Sequence, residues 1–246
     1  MKVVRTAAEL PAEGEIGLVP TMGAFHEGHL SLLRAARAEN QVVVASLFVN
    51  PAQFAEGEDL ASYPRDEERD VRLADEVGVD VLFAPSVDEI FPPGYETWVD
   101  VGVLGSILEG EHRPGHFRGV ATVCLKLFNL VRPRRAYFGQ KDAQQVAVVK
   151  RMVQDLALPV EIRVLPTVRD GDGLALSSRN AYLSLEERQA ALSLPQALQA
   201  RDPSLLNGLE VDYFEVAEFE PRVLAAAVRV GKMRLIDNVV LEREPS

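Results

Sequence analysis

The first clear pattern in the chain is a four-residue apolar run at 16–19, then ten residues of turn character, then apolar positions at helical spacing over 30–38. That order predicts a buried strand, a tight turn and a helix over 27–39. Residues 41–49 (QVVVASLFV) are β-branched and apolar almost without interruption, which is how a parallel strand covered on both faces reads. Asn50-Pro51 ends that run, because a residue before proline avoids the helical region. A charged stretch with apolar Val71, Leu73, Ala74 and Val77 predicts a surface helix over 66–77, and 79–84 is a third short strand. Residues 89–105 are less readable and hold the single tryptophan, Trp98, and the turn signal Pro92-Pro93-Gly94. A helix at 120–131, a strand at 135–138, a helix at 143–156 and a strand at 160–165 follow. Strands and helices in this rhythm imply a doubly wound α/β domain on a parallel sheet.

Pro166 and the run Asp170-Gly171-Asp172-Gly173 read as a hinge. The boundary is expected there, with 1–166 as the larger domain and 167–246 as a small C-terminal α+β domain. In the latter, a helix over 185–200 is interrupted near Pro195, strands lie at 211–219 and 233–241, and 223–228 is a short helical piece between them.

Composition narrows the partners. With 47% hydrophobic and 26% charged residues, the 246-residue chain reads as an ordinary globular protein with a substantial core. Its net charge of −11 argues against a nucleic acid or an anionic membrane as partner. An anionic substrate would need a local basic pocket. No apolar run reaches membrane-span length, and the first residues hold no signal-peptide core. The single cysteine, Cys124, excludes an intrachain disulfide, lies in an apolar helical pattern, and is expected to be buried. A reducing cytoplasm fits.

Candidate chemistry gathers at the turns. Pro20-Thr21-Met22-Gly23-Ala24-Phe25-His26-Glu27-Gly28-His29 spans a strand end and a helix start, where unpaired N–H groups and the helix dipole favour a phosphate. Gly23 and Gly28 allow close backbone approach. His26 and His29, two of the chain's four histidines, share a face of the first helical turn. Both can donate to phosphate oxygens, with a turn carrying two solvated histidines as the plain alternative. Asn50, Gln53 and Tyr63 follow the carboxyl end of a parallel strand, the usual ligand zone of such sheets, or form a polar surface loop. Glycines and basic groups mark 109–119 as either a mobile flap over an anion or a solvated loop. Gly139-Gln140-Lys141-Asp142 opens a second strand-turn-helix. There Lys141 is a cation for phosphate, Asp142 an acceptor for ribose hydroxyls or a helix cap, and Gln144 or Gln145 can point back toward the site. Leu176-Ser177-Ser178-Arg179 offers hydroxyls beside a guanidinium, either a phosphate clamp or a helix cap with a surface arginine.

Together these strings resemble the pantoate–β-alanine ligase (pantothenate synthetase) family: PTMGAFHEGH at 20–29, FVNPAQF at 48–54, FGQKDAQQ at 138–145, GLALSSRN at 173–180 and RLIDN at 234–238. The resemblance covers essentially the whole chain and implies a nucleotidyltransferase-like, Rossmann-like fold. It implies ATP contacts from Met22, Gly23, Ala24, Phe25, His26, Glu27, Gly28 and His29, from Gly139, Gln140, Lys141 and Asp142, and from Val168, Leu176, Ser177, Ser178 and Arg179. His29 matches a proton-donor position, and His26, Lys141, Ser177, Ser178 and Arg179 join it in the catalytic set. Gln53 and Gln145 match residues that hold pantoate, and Asn50, Tyr63, Glu109 and Arg113 match positions where the family has further active-site contacts. Many members have glutamate where Gln140 stands and methionine where Leu176 stands. The family also carries a longer helical insert between Leu194 and Val211, so the small domain here is trimmed.

The implied reaction condenses pantoate with β-alanine through a pantoyl adenylate, consuming ATP with Mg²⁺ and releasing AMP and pyrophosphate. The implied protein is a cytoplasmic homodimer. Two rivals share these features: an adenylyltransferase of the same fold, which leaves the nucleotide on its product, and a non-catalytic nucleotide-binding protein.

Overall fold

The computed structural model describes residues 1–242. Six short strands form one parallel sheet: β1 Lys2–Val4, β2 Ile16–Val19, β3 Val42–Ser46, β4 Val81–Phe83, β5 Arg135–Gly139 and β6 Glu161–Leu165. Their spatial order is β1-β4-β3-β2-β5-β6. Gly17 in β2 pairs with Val43 on one side and Arg135 on the other, so strand order reverses at β2.

Helices cover both faces. The helices α1 Glu27–Glu39 and α2 Glu67–Glu76 lie on one side. Two single turns, α3 Val87–Ile90 and α4 Glu109–His112, connect to α5 His116–Val131 and α6 Ala143–Asp155 on the other. Side-chain alternation along the strands divides the core accordingly. Val43 and Ala45 pack with Leu33 and Ala74 of the first helix pair. Val44, with Leu18, packs with Val123, Leu127 and Val149 of the second. Cys124 is buried among these residues, and burial pushes its thiol up to about 12.

The C-terminal part carries α7 Leu185–Ala191, α8 Ser193–Ala200 and an antiparallel meander of β7 Glu210–Ala217, β8 Val223–Val230 and β9 Met233–Val240. The stretch 223–228, expected to be helical, is part of β8. Its run Val-Leu-Ala-Ala-Ala-Val has helical propensity, but the strand is central and covered on both faces. Leu224, Ala226 and Val228 face α8, whereas Val223, Ala225 and Ala227 pack against Leu108, Ala143 and Tyr213. The 185–200 helix breaks at Leu192, not at Pro195. The proline occupies the first turn of α8, where a missing N–H costs no intrahelical bond. The strands read as 41–49 and 79–84 are shorter than expected, and β1 has no counterpart in the apolar pattern. Residues 109–119 are more regular than a loop. They comprise α4 and the start of α5, with Glu109, Gly110, Phe117 and Gly119 buried.

Candidate active site

Because β3 and β5 flank β2, the sheet opens a crevice where the turns after β2 and β5 diverge. A cavity of about 800 Å³ lies there, closed on its far side by the C-terminal meander. The β2 turn brings Met22, His26, Gly28 and His29 to it, and the β5 turn brings Gly139, Lys141 and Asp142. Val168, Leu176, Ser177, Ser178 and Arg179 line it from the segment before α7. Asn50, Gln53, Tyr63 and Gln145 line the remainder.

The two histidines are locked by backbone. His26 is the N-cap of α1, and its Nδ1 accepts from Gly28 N at 3.1 Å. His29 Nδ1 accepts from His26 N at 3.3 Å, and the rings lie 4.1 Å apart. Accepting at Nδ1 leaves the proton of each neutral ring on Nε2. Burial, with Lys141 nearby, holds His26 down to about 4, and burial with His26 beside it holds His29 to about 3. Both rings are therefore uncharged donors at neutral pH.

Several of the residues expected at the ligand have partners within the protein. The N–H groups of Ala24 and Phe25 donate to the buried Asp70 carboxylate at 2.8 and 2.7 Å. Gly23 at φ +88° and Ala24 at φ +53° form a left-handed concavity that Asp70 fills. Phe25 is fully buried, and the Glu27 side chain is exposed and pairs with Arg34. Gln140 faces the meander, where its Nε2 donates to Asn238 Oδ1 at 3.1 Å. Gly23, Ala24, Phe25, Glu27 and Gln140 thus do not line the cavity. Asp142 is the N-cap of α6 but makes no side-chain cap bond; its carboxylate lies 3.5 Å from Lys141 Nζ. Ser177 does cap, accepting from Arg179 N at 3.3 Å. Of the paired glutamines, Gln144 is structural: its amide holds the carbonyls of Leu104 and Ile107 and accepts from Glu109 N. Both glutamines line the cavity, and it is the Gln144 amide that is committed to these backbone groups.

Two arginines at the cavity are already paired. Arg179 donates from Nε and Nη2 to Asp59 at 2.8 and 2.9 Å, and those bonds hold the Asp59 carboxyl below its ordinary range. Arg113 grips Glu58 with two bonds of 2.7 Å. Burial opposes the Glu58 charge, but Arg113 outweighs it and keeps that pKa low. Tyr63 Oη lies 3.4 Å from Ser178 Oγ.

Sequence reasoning missed Asp59, Asp70, His116 and Asn238. Asp70 was legible in principle, since it sits four residues before the buried Ala74 on the inward side of α2. Asn238 lay inside the quoted RLIDN string. It donates to the carbonyls of Gln140 and Lys141 at 2.9 Å each, tying the meander to the β5 turn. Arg234, from the same string, pairs with Glu109 and Asp212.

The sequence profile described as pantoate-beta-alanine ligase matches residues 1–240. The chain belongs to the pantoate–β-alanine ligase family. Among curated members, the pantothenate synthetase of Roseiflexus castenholzii is 50% identical over 277 aligned positions, covering 98% of this chain and 100% of that one. The enzyme of Moorella thermoacetica is 52% identical over 257 positions, covering 92% and 91%. Among solved members of the ligase family, pantothenate synthetase from Thermus thermophilus superposes with a TM-score of 0.93 at 47% identity, covering 98% of this chain and 99% of that one. The Francisella tularensis pantoate–β-alanine ligase, complexed with β-γ ATP and β-alanine, gives 0.89 at 36% identity and covers all of both chains. No helix among the described residues of this ligase-family chain is long and apolar enough to cross a membrane.

Proposed function

We propose that this chain condenses pantoate with β-alanine at the expense of ATP, through a pantoyl adenylate, releasing AMP and pyrophosphate. One observation carries the reading beyond family membership. A single cavity is lined by two sets of groups: neutral histidine donors, Lys141 and a Ser-Ser-Arg run, and the two amides Gln53 and Gln145. The first group suits a triphosphate. The second suits the hydroxyls and carboxylate of a hydroxy acid without protonating its nucleophile.

A carboxylate does not acylate an amine at neutral pH, because oxide would have to leave. Attack of the pantoate carboxylate on the α-phosphorus, with pyrophosphate departing, supplies AMP as the leaving group instead. That step needs positioning and charge stabilisation more than covalent help. His26 and His29 donate through Nε2, Lys141 supplies a cation, Ser177 and Ser178 supply hydroxyls, and Arg179 offers Nη1 while Asp59 holds its other edge. Gly28, Gly139, Val168 and Leu176 shape the nucleotide side. Asn50 and Tyr63 frame the pantoate side.

Among the described residues no three His, Cys, Asp or Glu side chains converge as a metal site. An ion would arrive on the nucleotide, with Asp142, which lines the cavity 3.5 Å from Lys141, as the carboxylate to hold it. Bound there, Mg²⁺ would offset phosphate charge. Residues 167–246 act as a trimmed lid that keeps water from the mixed anhydride. The enzyme works in the cytoplasm as a homodimer, with small molecules and no nucleic acid or membrane as its other partners.

The test separates the half-reactions. ATP with pantoate alone should release about one equivalent of pyrophosphate per site and stop, the closed site shielding the adenylate. Added β-alanine should then discharge pantothenate and AMP, and ¹⁸O from the pantoate carboxylate should appear in AMP. ADP release, or AMP retained on the product, would replace this reading with phosphorylation or nucleotidyl transfer. Silence until β-alanine is added would exclude the stepwise route.

A further inference from the structure

Gln53 closes a 3₁₀ turn, Pro51–Gln53, that lies directly against α5. The contact is too close for any side chain at Gly119, where an added Cβ would lie 2.1 Å from the Ala52 carbonyl oxygen. Two side chains pin the turn on either side of this point. Asn50 Nδ2 donates to Gly119 O at 3.2 Å and to Gln53 Oε1 at 3.0 Å, while Asn50 Oδ1 accepts from Ala52 N. His116, first residue of α5, places Nδ1 2.8 Å from the Gln53 backbone carbonyl. Its Nε2 lies 3.1 Å from Arg113 Nη1.

These contacts fix the imidazole's state. A carbonyl oxygen only accepts, so Nδ1 carries the proton. A guanidinium only donates, so Nε2 carries the lone pair. Both demands are met by one neutral tautomer, and Glu58 holds Arg113 in place with its two bonds. The donors converge: Arg113 Nη1 donates to His116, His116 donates to the Gln53 carbonyl at 2.8 Å, and Arg113 Nη2 reaches the same carbonyl at a longer 3.4 Å. The ring contributes no cap to its own helix, whose N-cap is Gly115. Its polar contacts serve Gln53 and Arg113.

With Gln53 Oε1 occupied by Asn50, the amide orientation is settled. Nε2 is left as the end that can act on a ligand, 3.2 Å from Met22 Sδ. Gln53 therefore turns its N–H₂ end away from Asn50, which suits an oxygen-bearing anion or a hydroxyl acting as acceptor.

We propose that His116 is a positioning residue for the hydroxy-acid subsite, holding the Gln53 backbone so that the Gln53 amide presents its N–H₂ to the substrate. The proposal rests on the reading of Gln53 as a pantoate contact. It makes the 109–119 segment part of substrate recognition through the helix start, without requiring that segment to move.

The test is steady-state kinetics with pantoate and ATP varied separately, on His116→Ala, His116→Asn, His116→Gln, Gln53→Ala and the double variant Gln53→Ala/His116→Ala. An asparagine amide nitrogen falls near the position of Nδ1, whereas a glutamine amide reaches toward Nε2. His116→Ala should raise the pantoate KM roughly three- to tenfold, the effect of one hydrogen bond, with the ATP KM unmoved. His116→Asn should restore the pantoate KM, and His116→Gln should not. In the Gln53→Ala background, removal of His116 should add nothing, because the two act in series. Equal changes in both KM values, indistinguishable Asn and Gln variants, or additive effects would overturn the positioning role while leaving Gln53 as a contact. An unchanged pantoate KM in Gln53→Ala would instead overturn the contact itself, and the proposal with it. The Asn and Gln variants keep polar side chains of similar bulk, so their comparison stands even if the alanine variant folds poorly.

Discussion

Replacing Asp70 by asparagine tests whether an internal carboxylate shapes the phosphate turn. Asp70 is 1% exposed and accepts from Ala24 N and Phe25 N on separate oxygens, at 2.8 and 2.7 Å. An asparagine can accept on one side only, and its amide hydrogens then confront the other N–H. The loss is one charge-assisted bond, about 1.5–3 kcal/mol, plus a buried unpaired donor, about 1–3 kcal/mol. Against this, burial raises the Asp70 pKa, so the carboxylate's charge is itself costly to bury, and the amide is spared that cost. The net expectation is about 2–4 kcal/mol of destabilisation, or a Tm lower by roughly 5–15 °C for a chain of this size. The functional effect should exceed the thermal one at permissive temperature. His26 directly follows the two anchored residues, so kcat/KM for ATP should fall at least about tenfold at 25 °C, where the variant is still folded. Differential scanning calorimetry and a pyrophosphate-release assay on the same preparation give both quantities. A Tm within about 1 °C of the parent would refute the burial argument. A lower Tm with unaltered kcat/KM would refute the link between the Asp70 anchor and the histidines.

Three further outcomes are expected. His29→Ala should remain folded and lose about 10²–10³ in kcat, the usual cost of one preorganised donor; near-normal turnover in a folded variant would remove His29 from the phosphate site. His26, His29 and His116 have folded pKa values of about 4, 3 and 4, below the ordinary 6.5, so the unfolded chain takes up protons first. Their contribution to stability is therefore complete above about pH 6.5 and is lost as pH falls toward 4, and a Tm flat from pH 7 to about 5 would contradict it. Asn238→Ala removes both side-chain bonds to the Gln140 and Lys141 carbonyls and should raise the ATP KM while the pantoate KM stays constant; equal rises in both would mean the meander supports the whole cavity instead.

The sheet and the histidine pair were legible because each has a periodic signature. The apolar runs at 16–19 and 41–49 announce covered parallel strands, and His26 and His29 share a helical face by spacing alone. Residues whose partners are distant in sequence were not legible. Nothing near Asp70 says that its carboxylate fills the concavity at Gly23 and Ala24, 46 residues back in the chain. Asp59 meets Arg179 across 120 positions, so the carboxylate that holds this guanidinium could not be read from the Ser-Ser-Arg run. Alternation failed at β8 for a different reason. Alanines there are chosen by tight packing on two faces, and local propensity points the other way.

The pairing of the cavity arginines also determines how an anion approaches this protein. Arg113 and Arg179 carry their own counter-ions in Glu58 and Asp59, so at a distance they present dipoles rather than charges. What a triphosphate meets from afar is the field of a chain with net charge −11. That field repels it across about 30 Å at 0.01 M salt and across about 8 Å at 0.15 M. Encounter is therefore hindered by long-range electrostatics and capture is local, completed only when phosphate reaches the edge of Arg179 that Asp59 leaves open. Added salt should speed ATP association here, the reverse of the behaviour of proteins that steer anionic ligands with exposed cations.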